Sequence, residues 1–390
     1  MFTSILILGR QPRLGMAELE SLYGPERLQP VGVSAVLLDE QPGDVAFQRL
    51  GGSIKLAKVL TELPTTDFSR LLDYIQKTIP EHLGYLPEGK VKFGLSVFGI
   101  QTNVAQLNRS TLSIKKTIRQ TGHSVRVVPN NELSLNSAQV RHNQLTSPLG
   151  MELLLIRNGT STILAQTVQE QDIEAYADRD QKRPKRDARV GMLPPKLAQI
   201  IINLANPSAG STVLDPFCGT GVILQEAILM ELGAYGTDLE PKMVDYTNAN
   251  LKWLEDKTEK RVTGATEVGD ATSFVWKEVE FQSIACETYL GRPFSTTPPQ
   301  DVLQGVMQDV DTIHRKFLRN VAEQTPSGFR MCIAVPAWKT PNGFKHLKIL
   351  DSLEEFGYNR VSFVHAEQEE LIYHREGQIV ARELVVLIRK

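Results

Sequence analysis

The stretch that most constrains this chain is Val213-Leu214-Asp215-Pro216-Phe217-Cys218-Gly219-Thr220-Gly221. An apolar lead-in ends in an acid. A glycine-bearing turn follows, and Val222-Ile223-Leu224-Gln225-Glu226-Ala227 continues as an apolar helix. That succession is the first strand, turn and helix of a nucleotide-binding α/β sheet. The glycines belong there because a backbone without side chains lets a ligand approach closely.

A dinucleotide fingerprint would read G-x-G-x-x-G and turn a helix N-terminus towards a pyrophosphate. The run D-P-F-C-G-T-G instead ends its strand with a carboxylate, which suits a cation better than a phosphate. S-adenosylmethionine, with its sulfonium and ammonium groups, is such a ligand. A second acid ends the next expected strand, Ala234-Tyr235-Gly236-Thr237-Asp238-Leu239, where it can accept hydrogen bonds from ribose hydroxyls. The plainer reading of Asp215 is a helix cap; two acids and two glycines at fitting spacing favour the cofactor.

With 390 residues the chain has room for two or three domains, and 41% hydrophobic residues supply their cores. A formal net charge of −2 means that nucleic acid would have to be met by a local basic patch. Cys218, Cys286 and Cys332 lie far apart with no C-x-x-C pair, against a disulfide scaffold or a zinc site and in keeping with a reducing, cytoplasmic setting. Met1 to Leu8 is apolar but short and lacks a basic lead, so it reads as a core strand and not a signal peptide. No apolar run reaches membrane-spanning length.

The first segment reads as a small α+β unit: strands at 2–8, 33–38 and 53–60, a helix at 14–23 and another near 45–50. The second, 66–168, has a helix at 68–79 and a strand at 90–98 with alternating Val91, Phe93, Leu95 and Val97. A helix at 107–119 offers Leu107, Leu112, Ile114 and Ile118 to a core, while Lys115, Lys116 and Arg119 project sideways. A strand at 123–128, a short helix carrying Arg141 and His142, and strands at 152–156 and 162–168 complete it. Basic residues on such a module suit the phosphates of a folded RNA, or simply form a solvated helix face. The connector 171–189 is rich in Arg and Asp; it is a plain linker, a phosphate grip through Arg179, Arg183 and Arg186, or a self-paired segment through Asp178, Asp180 and Asp187. The next helix, opened by Pro194 and Pro195, turns Leu197, Ile200, Ile201 and Leu204 to a core and could wall one side of the cofactor site.

At this point the residues carry a resemblance. R-D-x-x-R-P-x-R-D (Arg179 to Asp187), G-M-L-P-P-K-L-A-Q-I (Gly191 to Ile200), L-D-P-F-C-G-T-G and the C-terminal run Tyr373 to Glu383 together resemble the THUMP-domain tRNA guanosine-N2 methyltransferases, which modify guanosine ten of tRNA. The resemblance covers most of the chain from about residue 90. It implies an α/β fold with a class I methyltransferase sheet of seven strands closed by an antiparallel hairpin. It also implies a ferredoxin-like domain at 1–62, a THUMP RNA-binding domain at 63–168, a linker at 169–190 and the methyltransferase domain at 191–390. It assigns S-adenosylmethionine as cofactor, held by Asp215, Phe217, Gly219, Gly221, Asp238, Leu239, Asp270 and Ala271, with Pro194 and Lys196 alongside. Asp270 has a plainer role open to it, as a turn or helix cap. Lys115, Lys116, Arg119, Arg141, Arg183 and Arg186 would meet the tRNA. Some relatives use a small zinc-ribbon activator subunit, and the sequence leaves open whether this chain does.

One departure stands out. The family's catalytic strand usually ends D-P-P-Y, whereas this one ends Cys286-Glu287-Thr288-Tyr289-Leu290-Gly291. The chemistry needs an acceptor for a hydrogen bond from an exocyclic amine and a flat ring to stack a base turned out of its helix. Glu287 could supply the acceptor and Tyr289 the ring. Yet the acid is one methylene longer, the prolines are gone and the ring comes one place early, and methyl transfer depends on reacting atoms held about 3–3.5 Å apart. An acid, an aromatic and a glycine still end the strand, which favours a variant active site over a lost one. Three functions follow: N2-methylation of guanosine in tRNA, N6-methylation of adenine in nucleic acid, or an inactive RNA-binding protein. Downstream, 300–323 has helical apolar spacing, 331–335 reads as a buried strand and 346–356 as a helix, and 371–374 with 381–388 forms a hairpin. His314, His346, His365 and His374 show no metal-ligand spacing, and Trp338 reads as core or as a wall of the base pocket.

Overall fold

The computed structural model describes residues 2–187, 192–258, 260–294, 296 and 298–390. The expected boundary at 190–191, with Arg189 and Gly191, lies outside the described residues. The chain forms two compact units. The first comprises Met1–Pro12, Glu26–Gln48 and Ser53–Ile173; the second comprises Arg13–Pro25, Arg49–Gly52 and Glu174–Lys390.

In chain order the first half gives β1 (Ser4–Leu8), α1 (Pro12–Tyr23), β2 (Leu28–Val31), β3 (Ala35–Leu38), β4 (Ser53–Leu63), α2 (Phe68–Leu83) and β5 (Val91–Phe98). Then follow α3 (Val104–Gln120), β6 (Val125–Val127), α4 (Ser137–His142), β7 (Gly150–Asn158) and β8 (Ser161–Glu170). The eight strands make one sheet, ordered β2-β3-β1-β4-β8-β7-β5-β6 and therefore continuous across residue 62. Helix α2 buries Phe68, Leu71, Ile75, Ile79 and Leu83, a stripe at helical spacing, and Asp67 caps it by accepting from the Arg70 N–H at 3.0 Å. Helix α3 buries Leu107, Ile114 and Ile118, but Leu112 is exposed and Thr111 takes the inward place. The expectation for Leu112 fails because it lies five positions past Leu107, off the 3.6-residue period that Thr111 keeps. The helix expected near 45–50 is one 3₁₀ turn, Phe47–Arg49.

Helix α1 belongs to the second unit. Its Leu14 and Ala17 share a core with Leu197, Ile201, Leu204, Val222 and Leu224. Its Glu18 accepts from the Gly51 and Gly52 N–H groups and from Asn203 Nδ2 at 2.8–2.9 Å. The later elements are α5 (Ile173–Gln181), α6 (Pro195–Ala205), β9 (Thr212–Asp215), α7 (Val222–Leu229), β10 (Gly233–Asp238), α8 (Pro241–Thr258), β11 (Gly264–Val268), β12 (Ser283–Glu287) and α9 (Gln300–Gln324). The chain ends with β13 (Arg330–Thr340), β14 (Gly343–Lys345), β15 (Tyr358–Arg360), β16 (Ile372–Tyr373) and β17 (Val380–Arg389). The sheet runs β11-β10-β9-β12-β13-β17-β15. β10 pairs β9 and β11 in parallel, β12 pairs β9 and β13 in parallel, and β17 lies antiparallel to β13. This is the class I methyltransferase sheet with its antiparallel closing strands. The strand order reverses between β9 and β12, and in open α/β sheets ligands settle beside that switch point at the carboxyl ends of the strands. The helix expected at 346–356 is 3₁₀ over Lys348–Phe356, interrupted at Ser352. Among the described residues no helix is long and apolar enough to cross a membrane, and no His, Cys, Asp and Glu cluster is arranged to hold a metal.

Candidate functional site

Asp215 and Asp238 end adjacent strands. Gly236 lies beside Asp215 in the register, so Asp238 projects two residues further. Asp215 Oδ1 accepts from the Phe217 N–H at 3.0 Å. Asp238 Oδ2 accepts from the Gly219 N–H at 2.9 Å, and its Oδ1 from the Glu240 N–H at 3.0 Å. The second acid therefore fastens the turn that follows the first.

The two glycines of the turn have different reasons. Gly219 has φ +52°, and a Cβ there would meet only the Phe217 carbonyl, at 3.9 Å. That face of the turn is open. Gly221 has φ +80°, but a Cβ there would lie 2.8 Å from Thr247 Cγ2. Glycine is therefore required at 221 by its left-handed backbone and by the close approach of α8.

Burial pushes the Asp215 carboxyl well above the usual carboxylate range; the Phe217 N–H opposes this, while Asp238 and Glu287 reinforce it. Burial likewise raises Asp238. Two further carboxyl groups near Asp215 thus disfavour its charge, which makes the place favourable for a cation. Beside them Val268 pairs with Asp238, and the Gly269 N–H donates to the Asp238 carbonyl at 2.9 Å. Leu239 and Val268 are 62% and 50% exposed, an apolar rim beside the acids. Asp270 Oδ1 accepts from the Thr272 N–H at 2.9 Å and the Thr272 hydroxyl at 2.8 Å, so it caps the turn after β11. Ala271 is buried in the core with Tyr235 and Trp276, so its methyl does not line an open surface. Pro194 is the N-cap of α6, and the Lys196 ammonium lies 5.2 Å from the Tyr176 ring centre on α5.

Glu287 ends β12. Arg382 Nε, on β17, donates to its Oε1 at 2.5 Å, and the two side chains are 15% and 8% exposed. Burial raises the Glu287 carboxyl and Arg382 draws it back. Thr288 is turned inward, its hydroxyl 2.7 Å from His314 Nε2 and 3.0 Å from the Ala334 carbonyl. Tyr289 is 45% exposed. Trp338 is fully buried and belongs to the core. Sequence reasoning did not single out Arg382, whereas the buried, hydrogen-bonded His314 is structural, as its lack of metal-ligand spacing suggests. Arg382 falls inside the C-terminal run that carries the resemblance, but its pairing with Glu287 exists only once β13 and β17 are assembled.

The expected RNA-binding residues divide. On α3, Lys116 and Arg119 are exposed and Lys115 is half-buried. Arg141 lies 3.2 Å from Asp172. In the second unit Arg186 is exposed, but Arg183 is buried, which corrects its assignment to phosphate contact. The connector is not a plain linker, because α5 and the residues after it fold against α7 and α8. Arg179 grips Glu226 with Nε at 2.7 Å and Nη2 at 3.2 Å, and Asn250 clasps the Lys185 backbone N–H and C=O at 2.9 Å each.

Residues 182–363 match the family model described as UPF0020, RMKL-like, methyltransferase domain. That stretch lies within the second unit. The tRNA (guanine(10)-N2)-dimethyltransferase of Pyrococcus abyssi is 31% identical over 148 residues, which cover 37% of this chain and 39% of that one. The enzyme of the same name from Methanothermobacter thermautotrophicus is 48% identical over 62 residues, 16% of this chain and 18% of that one. The chain therefore spans well under half the length of these curated relatives. The crystal structure of TrmN from Thermus thermophilus aligns over 100% of both chains with a TM-score of 0.53 at 16% identity, a likeness of fold.

Proposed function

We propose that this chain is an S-adenosylmethionine-dependent tRNA methyltransferase that forms N2-methylguanosine. The observation that carries the reading is the group Asp215, Asp238 and Glu287 at the strand tips, next to the open face of Gly219. A ligand with a sulfonium and an ammonium group fits that charge. When bound, it supplies an electrophilic methyl group. Asp215 holds the cationic end, Asp238 the ribose hydroxyls, and Leu239 the adenine edge, with Asp270 ordering the turn beneath. Glu287 takes the role of acceptor: Arg382 occupies Oε1 and favours the ionised form against burial, so Oε2 receives a hydrogen bond from the guanine amine and orients the nitrogen lone pair. Tyr289 offers the ring on which a turned-out base can stack.

The domain at 63–168 acts as the THUMP reader of tRNA, with residues 1–62 as a ferredoxin-like support. Lys115, Lys116, Arg119 and Arg141 contact phosphate, and Arg186 adds a further cation from the connector. A small zinc-ribbon activator subunit enters as a second partner. The names of the curated relatives favour guanine over adenine as the base. Mass spectrometry of nucleosides from transcribed tRNA, incubated with the purified chain and S-adenosylmethionine, tests the reading. N2-methylguanosine is expected. N6-methyladenosine would move the chemistry to adenine, and tRNA binding without any methylated nucleoside would leave an RNA-binding protein.

A further inference from the structure

Arg183 lies in the segment after α5 and is only 3% exposed. Its Nε and Nη2 nonetheless have no hydrogen-bond partner among the described residues. The nearest carboxylate oxygen, Asp180 Oδ1, is 3.9 Å from Nη2, beyond hydrogen-bond reach, and Asp180 is itself partly exposed. Glu226 is also near, but both its oxygens are taken. Its Oε1 accepts from Arg179 Nε at 2.7 Å, and its Oε2 from Arg179 Nη2 at 3.2 Å and Gln199 Nε2 at 3.0 Å. Arg186 adds a further positive charge to the same neighbourhood. Three guanidinium groups therefore share one committed carboxylate and one partly exposed one. Buried polar groups are nearly always hydrogen-bonded, and a buried charge without partners is unfavourable until an anion completes it.

The place of Arg183 says which anion. Two residues further, the Lys185 carbonyl accepts from Asn250 Nδ2 at 2.9 Å, and the same Nδ2 donates to the Thr220 carbonyl at 2.8 Å. The segment is thus pinned to the Gly219–Gly221 turn, on which the proposed cofactor rests. The acids at the strand tips suit that ligand's sulfonium and ammonium but repel its α-carboxylate. Other cations of the region are engaged elsewhere: Arg382 with Glu287, Arg179 with Glu226, and Lys242 with Asp187 at 3.1 Å. Nε and Nη2 form one edge of a guanidinium, the fork that meets a carboxylate with two parallel hydrogen bonds.

We propose that Arg183 binds the α-carboxylate of the cofactor's methionine moiety through this edge. The inference rests on the S-adenosylmethionine reading and adds a binding residue to it. The test is calorimetry on the full chain with two ligands, S-adenosylhomocysteine and its α-carboxamide, which lacks only the negative charge. Wild type should bind S-adenosylhomocysteine about 10- to 100-fold more tightly than the carboxamide. Arg183→Gln should bind both about equally, at the weaker affinity, and Arg183→Lys should recover part of the difference. Lys182→Gln, at an exposed neighbour, should behave as wild type. A variant that weakens both ligands equally would give Arg183 a structural role only. Unchanged S-adenosylhomocysteine affinity with weakened tRNA binding would return Arg183 to phosphate recognition; either result overturns the proposal. If the Gln variant does not fold, wild type decides alone, because equal affinity for the two ligands excludes a carboxylate contact. Wild type that binds neither ligand refutes the cofactor reading itself, a different failure.

Discussion

Removing the cation beside Glu287 is the sharpest perturbation of the proposed chemistry. Arg382→Met keeps an unbranched apolar stem and deletes the charge. Glu287 is then left in a largely buried place with Asp215 nearby and no counter-charge. At an effective dielectric of about 20, opposite charges about 4 Å apart attract by about 4 kcal/mol. Partial exposure trims this, so the ionised form of Glu287 should lose about 2–4 kcal/mol. One tenfold change corresponds to about 1.4 kcal/mol, so methyl transfer at neutral pH should fall by up to about 30- to 1000-fold. The sign with pH follows from the same argument. Only the carboxylate accepts from the amine, and loss of Arg382 raises the pH at which it forms. The acid limb of the rate profile should therefore move to higher pH, and activity should recover as pH rises. Single-turnover transfer from methyl-tritiated S-adenosylmethionine to transcribed tRNA, measured across pH for both proteins, checks this. An unmoved acid limb, or a loss that no pH repairs, would show that Arg382 does not act through the ionisation of Glu287.

Two further outcomes concern stability. Gly221→Ala forces a methyl to within 2.8 Å of Thr247 Cγ2 at φ +80° and should destabilise the second unit by about 1–3 kcal/mol in urea melts, whereas an unchanged midpoint would remove the packing explanation. His314 is fully buried and burial holds its pKa down to about 4, below the 6.5 of an exposed imidazole. The unfolded chain therefore takes up a proton first as pH falls from 6.5 towards 4, and stability should drop over that window by up to about 3 kcal/mol; His314→Gln should flatten that slope in urea melts, and an equal slope in both proteins would assign the effect to other groups.

The site was legible where its logic is local. Asp215, Gly219 and Asp238 are marked by strand-turn-helix patterns that survive in one dimension, and the sheet order follows from alternating strands and helices. The failures share a cause. Leu112 was placed by type instead of period, and Thr111 was overlooked because a threonine facing a core satisfies its hydroxyl on the Asn108 carbonyl. Nothing in the sequence announces that Thr247 packs against Gly221 across the helix pair. Arg183 looked like a surface cation because the connector's charges conceal how tightly Asn250 binds it to the turn. Helix α1, drawn into the second unit through Glu18 and Asn203, carries no mark of that destination.

Titration of S-adenosylmethionine into wild type and Asp215→Asn across a range of pH goes to the centre of the account. Wild type should bind one equivalent, more tightly as pH rises, because the raised pKa of Asp215 leaves its charge to be gained over that range. The Asn variant should bind about 10- to 100-fold more weakly and lose this dependence. Equal affinity and equal pH behaviour in the two proteins, or no binding to wild type, would contradict an acidic cradle for a cationic cofactor.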